Sequence, residues 1–219
     1  RKFKDPKGLI SSWSQYERLS RSLFNNNEIS NYSCPVIHCT WSFNHEKLSP
    51  FLETFNQNAH VEKDLLIRIL NESESPEFRA NASFLLSHAA IKNSELLKIL
   101  LPSIHDPVST VRNNSMRVIY YILKAEPTLK ININEIIKAL HYPSFTDRNK
   151  ALVILRTISL DNLHKSDQLK LSKILLEILI KKDAHNYKNA HLVIKKLSNK
   201  DFPVNDISNW KQWVNSLNE

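Results

Sequence analysis

The sequence predicts an all-α fold of stacked helix pairs, and three observations lead there. An apolar helical run, a short turn and a basic residue opening a second apolar run recur four times, over residues 65–90, 97–124, 135–160 and 173–198. The second run of each pair keeps one register. Counting from Arg79, Arg112, Arg148 and Lys188, position three is Ala82, Ser115, Ala151 and His191, and position six is Leu85, Val118, Ile154 and Ile194. The chain also holds a single glycine, which works against tight β-hairpins because their turns need backbone conformations that other residues adopt at a cost. Positions three, six, seven and ten share one face of a 3.6-residue helix, so each second helix carries an apolar stripe that only neighbouring helices can cover. The basic anchors lie 33, 36 and 40 residues apart, a spacing that suits helix–turn–helix arrays joined by loops of varying length.

Taken in order, Asp5-Pro6 opens the first helix, with a polar cap followed by Pro at the first helical position. Leu9, Trp13, Tyr16, Leu19 and Leu23 continue the apolar spacing until Asn25-Asn26-Asn27 stops it. Residues 28–46 read as an irregular link rich in Ser, Asn and aromatic side chains. Ser49-Pro50 then repeats the cap-and-Pro signal for a helix through Phe51, Leu52 and Phe55. Helix pairs follow near 62–72 and 76–90, 94–104 and 107–124, 133–141 and 145–159, and 166–182 and 185–198. Residues 206–217 form a last amphipathic helix with Trp210, Trp213, Val214 and Leu217 on one side. A terminal repeat exposes its apolar flank unless something covers it, so this helix is expected as a cap; a ligand gripped by the paired Trp residues is the alternative. The expected organisation is an N-terminal helical cap and Cys- and aromatic-rich plug over 1–61, four helix pairs over 62–200, and a C-terminal capping helix over 201–219.

Composition narrows the function classes. No apolar run approaches the roughly 20 residues that cross a bilayer, so membrane insertion is not expected. With one glycine there is no Gly-rich phosphate-cradling loop and no dinucleotide-binding fingerprint. The chain begins at Arg1 without Met, which reads as a mature or trimmed form and leaves the compartment open. Sequons occur at Asn31, Asn71, Asn81 and Asn113, and read as chance matches in an Asn-rich chain; those at Asn81 and Asn113 fall in first turns of stacked helices, where a glycan would be crowded.

The turns carry a resemblance. Ser75-Pro76-Glu77-Phe78-Arg79 and Asp106-Pro107-Val108-Ser109-Thr110-Val111-Arg112 resemble the turn of HEAT repeats, in which Asp or Pro precedes a Val-Arg pair that starts the second helix. The later turns depart from it: residues 141–148 lack an acidic residue at the usual place, and Lys188 stands where Arg is usual. The likeness covers about two thirds of the chain, and a Trp-x-x-Trp tail after such repeats resembles a group of bacterial HEAT proteins. It implies a right-handed α-α superhelix of the armadillo-like kind, with Asp and Arg side chains linking adjacent repeats and second helices lining the concave face.

On that face the chain places Arg117, Tyr120, Tyr121, Arg156, Lys195 and Lys196, with Asn113, Asn149 and Asn189 at position one. A net charge of +8 and a pI near 9.4 favour an acidic partner, and Tyr and Arg are common at interface hot spots. The expected role is a non-catalytic protein-interaction scaffold for an acidic or extended partner, with no cofactor. Sequence-tolerant nucleic-acid backbone binding through the same cations is one alternative; a solvated polar face with no ligand is the plain one. HEAT-like DNA glycosylases place a catalytic carboxylate among aromatics on the concave face. Here Asp147 is expected to precede its helix and Glu126 to follow one, so neither fits that role.

A last alternative is an enzyme or metal site within residues 34–45, which hold Cys34, His38, Cys39, His45, Trp41 and Phe43. Cys34, His38, Cys39 and His45 have the chemistry of zinc ligands, but their spacing suits structural zinc poorly. A Cys34–Cys39 disulfide and buried thiols in an apolar plug remain as readings. A nucleophilic cysteine lacks an identifiable His with an orienting carboxylate.

Overall fold

The computed structural model describes residues 1–34, 36, 42–161 and 163–218. Among these the chain is all-helical, with no strand, and it divides into two compact units, Arg1–Ala125 and Glu126–Glu219. No helix of the described residues is long and apolar enough to cross a membrane.

Unit 1 contains α1 (Leu9–Asn25), α2 (Ser49–Asn58), α3 (Lys63–Glu72), α4 (Pro76–Leu85), α5 (Asn93–Leu100) and α6 (Ser109–Ala125). The first helix starts later than Asp5-Pro6 suggests. Pro6–Gly8 is a separate 3-10 turn in which Lys7 and Gly8 are left-handed, at φ 48° and 73°. That reversal lets the Asp5 carboxylate accept hydrogen bonds from the N–H groups of Ile10 and Ser11, at 2.8 and 2.9 Å. Asp5 therefore still satisfies the helix start, but from three residues before the cap position. Nothing lies within 4 Å of where a Cβ on Gly8 would stand, so its positive φ alone favours glycine there. At α4 the expected signal holds, with Ser75 Oγ accepting from Phe78 N–H and Pro76 at the first position.

Two helices end sooner than expected. The run from Pro76 is α-helical only to Leu85 and finishes as a 3-10 turn, Leu86–His88; the run from Asn93 changes to 3-10 at Leu101–His105, where Pro102 has no N–H to continue the α ladder.

The core of unit 1 has two parts. Around α1, α2 and α4, Trp13, Tyr16, Phe55, Phe84 and His88 are buried together, with ring centroids 4.9 Å apart for Trp13–Phe84 and 5.5 Å for Phe55–His88. Beyond it, aliphatic side chains of α3, α5 and α6 close the interior, Leu66, Leu100, Met116 and Ile119 among them. α4 packs against both α1 and α6, and small side chains let it approach: Ser83 Oγ lies 3.0 Å from Ser115 Oγ across the α4–α6 contact. Asparagines tie the same row. Asn81 Nδ2 donates to Ser14 Oγ (2.9 Å) and more weakly to Ile10 O (3.4 Å) of α1, and Asn114 Nδ2 donates to Ala80 O of α4 at 3.1 Å.

Unit 2 contains α7 (Ile133–Ala139), α8 (Phe145–Thr157), α9 (Lys165–Ile180), α10 (Tyr187–Ser198) and α11 (Ile207–Ser216). α8 packs on α7 and α10, and α9 on α10 and α11. Ala151, Ile154 and Ile194 fill the register slots read from the sequence and are fully buried. His191 occupies its slot differently: its Nε2 lies 2.8 Å from Phe202 O and its ring meets Trp210 edge-on at 5.8 Å. The C-terminal segment therefore packs on the His191 side of α10. Trp210 is fully buried and donates Nε1–H to Pro203 O at 2.9 Å, so this Trp has the packing of a cap.

Left-handed residues close several helices without glycine: Asn27 after α1, Lys182 after α9 and Asn199 after α10, at φ 57°, 49° and 54°. Ala90 does the same after the 3-10 turn that extends α4, at φ 53°.

Candidate functional site

The basic residue opening each second helix is a tie before it is anything else. Arg79 is buried and donates Nε and Nη2 to the Asp106 carboxylate at 2.7 and 3.0 Å, and Nη1 to Ser73 O at 2.6 Å. Arg112 donates Nη1 to Asp106 O and Pro107 O. In unit 2, Arg148 repeats this pattern residue for residue, donating Nη1 to Tyr142 O and Pro143 O and Nη2 to Asp183 at 3.1 Å. Burial by itself raises the Asp183 pKa, but hydrogen bonds from Asn186, Arg148 and the His185 N–H outweigh it and hold the carboxyl below its usual range. The Arg–Asp link thus exists in both units, with Asp183 supplying it although the preceding turn has no acidic residue at the usual place.

Three of the six residues expected to bind a partner lie on α6 of unit 1. Tyr120 and Tyr121 pack edge to face with centroids 4.8 Å apart. Arg117 is largely sequestered. Burial lowers its pKa, and Tyr121 and Glu17 act in the opposite direction. Glu17 does not engage it directly, because its Oε1 accepts from Arg21 at 2.7 Å. The Nε of Arg117 and the Nδ2 of Asn113, one turn earlier, are buried donors without an acceptor, and the remaining link between the two side chains is a long one, Nη2 to Oδ1 at 3.5 Å. Burial also raises the Tyr121 pKa, helped by Tyr120.

The other three lie in unit 2 and are more committed to the fold. Lys196 donates Nζ to Arg156 O and Ile158 O at 2.9 and 2.5 Å, so it caps the C-terminus of α8, where a cation is favoured. Partial burial lowers its pKa. Lys195 pairs with the exposed carboxylate of Asp201. Arg156 is exposed and donates Nη1 to Asn189 Oδ1 at 2.7 Å, and its Nε and Nη2 have no acceptor among the described residues. The acceptors differ from one cation to the next: backbone carbonyls for Lys196, and the side chains of Asn113, Asn189 and Asp201 for Arg117, Arg156 and Lys195.

The cysteine-rich segment loses its reactive readings at Cys34, which is exposed and disulfide-bonded, not a buried thiol. A cystine sulfur has no thiolate with which to attack a substrate or ligate zinc. Cys39, His38 and Trp41 lie outside the described residues. His45 Nδ1 accepts from the N–H of Lys47. Among the described residues no group of three His, Cys, Asp or Glu side chains is gathered to hold a metal ion.

Asp147 is also placed differently from expectation. Read as preceding its helix, it lies inside the first turn of α8, whose start at Phe145 is the one expected, and it is fully buried. A cleft of about 430 Å³ on unit 1 is lined by Ser14, Glu17, Arg18, Arg21, Glu77 and Asn81, among others. Its carboxylates are engaged, Glu17 by Arg21 and Glu77 by Ser14 at 2.8 Å.

No known protein family, curated protein or solved structure matches this chain.

Proposed function

We propose that the helix pairs are HEAT-like repeats of a right-handed solenoid, and that the chain is a non-catalytic scaffold binding an acidic, extended protein segment along its second helices. The repeat assignment is supported by the arginine geometry common to both units, in which Arg112 and Arg148 reach the carbonyls five and six residues earlier in the turn. The binding role is carried by Arg117. A fold gains nothing from a sequestered guanidinium whose Nε has no acceptor, since an unpaired buried donor costs about 1–3 kcal/mol. Arg117 as a whole is half-buried, near Tyr121 and the ring it packs on, Tyr120, surroundings in which an arginine acts as a hot spot.

The test separates folding from binding. Arg117→Met is expected to unfold in urea no earlier than the parent chain, and to bind a fluorescent poly-glutamate probe about tenfold more weakly. Unchanged affinity would remove Arg117 from the site. Tighter, steeply salt-dependent binding of a single-stranded oligonucleotide would replace the acidic protein segment by a phosphate backbone.

A further inference from the structure

We infer that unit 2 recognises a carboxylate placed next to an aliphatic side chain, and not acidity alone. This rests on the reading of the chain as a binder of acidic segments and specifies what one part of it selects. The geometry begins at Arg156, near the C-terminal end of α8. Asn189 of α10 accepts from one of its amino groups at 2.7 Å, which restrains the guanidinium, while Nε and Nη2 have no acceptor among the described residues. A fork restrained in this way loses less freedom on binding a carboxylate than a free arginine does.

Apolar surface lies beside it. Asn189, Leu192 and Lys196 are spaced by three and four residues and so share one face of α10. The first and last of these are also its contact points with α8, Asn189 to the Arg156 side chain and Lys196 to the Arg156 and Ile158 carbonyls. Leu192, between them, is 43% exposed, one of few large apolar side chains left open in this unit. Val153, one turn before Arg156 on α8, is half-buried. Lys196 brings a second positive charge to the same end of α8 while its ammonium stays on the carbonyls. Anion and methyl groups are thus both provided for within one strip. An acidic segment with Leu, Ile or Val near its Asp or Glu complements that strip in charge and in hydrophobicity; a purely polar acidic segment would leave Leu192 wet.

The experiment compares three short fluorescent peptides against the full chain by anisotropy: repeats of Glu-Leu, of Glu-Ser and of Lys-Leu. The Glu-Leu peptide is expected to bind about tenfold more tightly than Glu-Ser, a difference the size of one well-buried aliphatic contact. Leu192→Ser, at an exposed position, should abolish that preference and leave Glu-Ser affinity unchanged. Arg156→Gln, whose amide can still donate to Asn189, should weaken both acidic peptides. Equal binding of Glu-Leu and Glu-Ser would overturn the aliphatic selection while leaving the acidic-partner reading in place. Absence of binding by either would overturn both. Equal binding of Lys-Leu, or tighter binding of a single-stranded oligonucleotide that Arg156→Gln abolishes, would also overturn it.

Discussion

Unit 1 and unit 2 use the same polar device at different depths. In unit 1 the Arg79–Asp106 pair is nearly sealed, with side chains 11% and 9% exposed, and Asn81 and His88 are buried as well. In unit 2 the equivalent Arg148–Asp183 pair is 23% and 19% exposed and the ties from Arg156 and Lys196 are at the surface, although Asn186, which donates to Phe145 O, is buried. The hydrogen-bond pattern therefore repeats along the chain while its energetic weight does not. Removing one partner of a pair away from water leaves the other charge unsolvated; near the surface, water replaces what is lost.

The sharpest way to break this comparison is to delete the two arginines separately. Arg79→Ala should destabilise by about 3–5 kcal/mol, because Asp106 is left sequestered, and Arg148→Ala by only about 1 kcal/mol. Equal shifts in urea midpoint would show that burial does not separate the units. Acid provides the second probe. His88 is enclosed by aromatic rings, and burial lowers its pKa to about 4. The folded value lies below that of the unfolded chain, so its contribution is complete above pH 6.5 and is lost as pH falls toward 4. The loss is about 3 kcal/mol. Unfolding measured across that interval should slope for the parent and flatten for His88→Phe. Unit 2 has no buried counterpart among its described residues, since His141, His164 and His185 are exposed and His191 is only half-buried. The smallest effect is expected at the surface ties of unit 2. Lys196→Ala should cost about 1 kcal/mol through loss of the α8 cap, whereas Lys195→Ala should leave the thermal midpoint unchanged, because Asp201 is open to solvent.

Helix positions were legible because the 3.6-residue spacing and the cap signal at Ser75-Pro76 are local properties of the chain; Ser49, read as a cap, is instead the first residue of α2 and makes no cap bond. The late start of α1 was not, because it depends on Lys7 and Gly8 turning left-handed so that Asp5 can reach over them. Pro102 was a visible reason for the early end of α5. The asparagine ties left a trace too, since position two is Asn81 and Asn114 in the first two pairs but Lys150 and Ala190 in the later ones. The candidate site was legible as composition only. Sequence identified Arg117, Arg156, Lys195 and Lys196 as cations on one side of their helices, but their different commitments depend on carbonyl acceptors, on Asn189 and on how deeply α6 is covered.

The helix ends at Asn27, Lys182 and Asn199, and the turn at Ala90, hold a conformation that disfavours a side chain by roughly 1 kcal/mol each. In the intact protein that local penalty is absorbed by contacts with neighbouring helices. A hairpin excised from this chain would keep the penalty and lose the neighbours, so the smallest autonomous piece of the molecule is larger than its repeating motif.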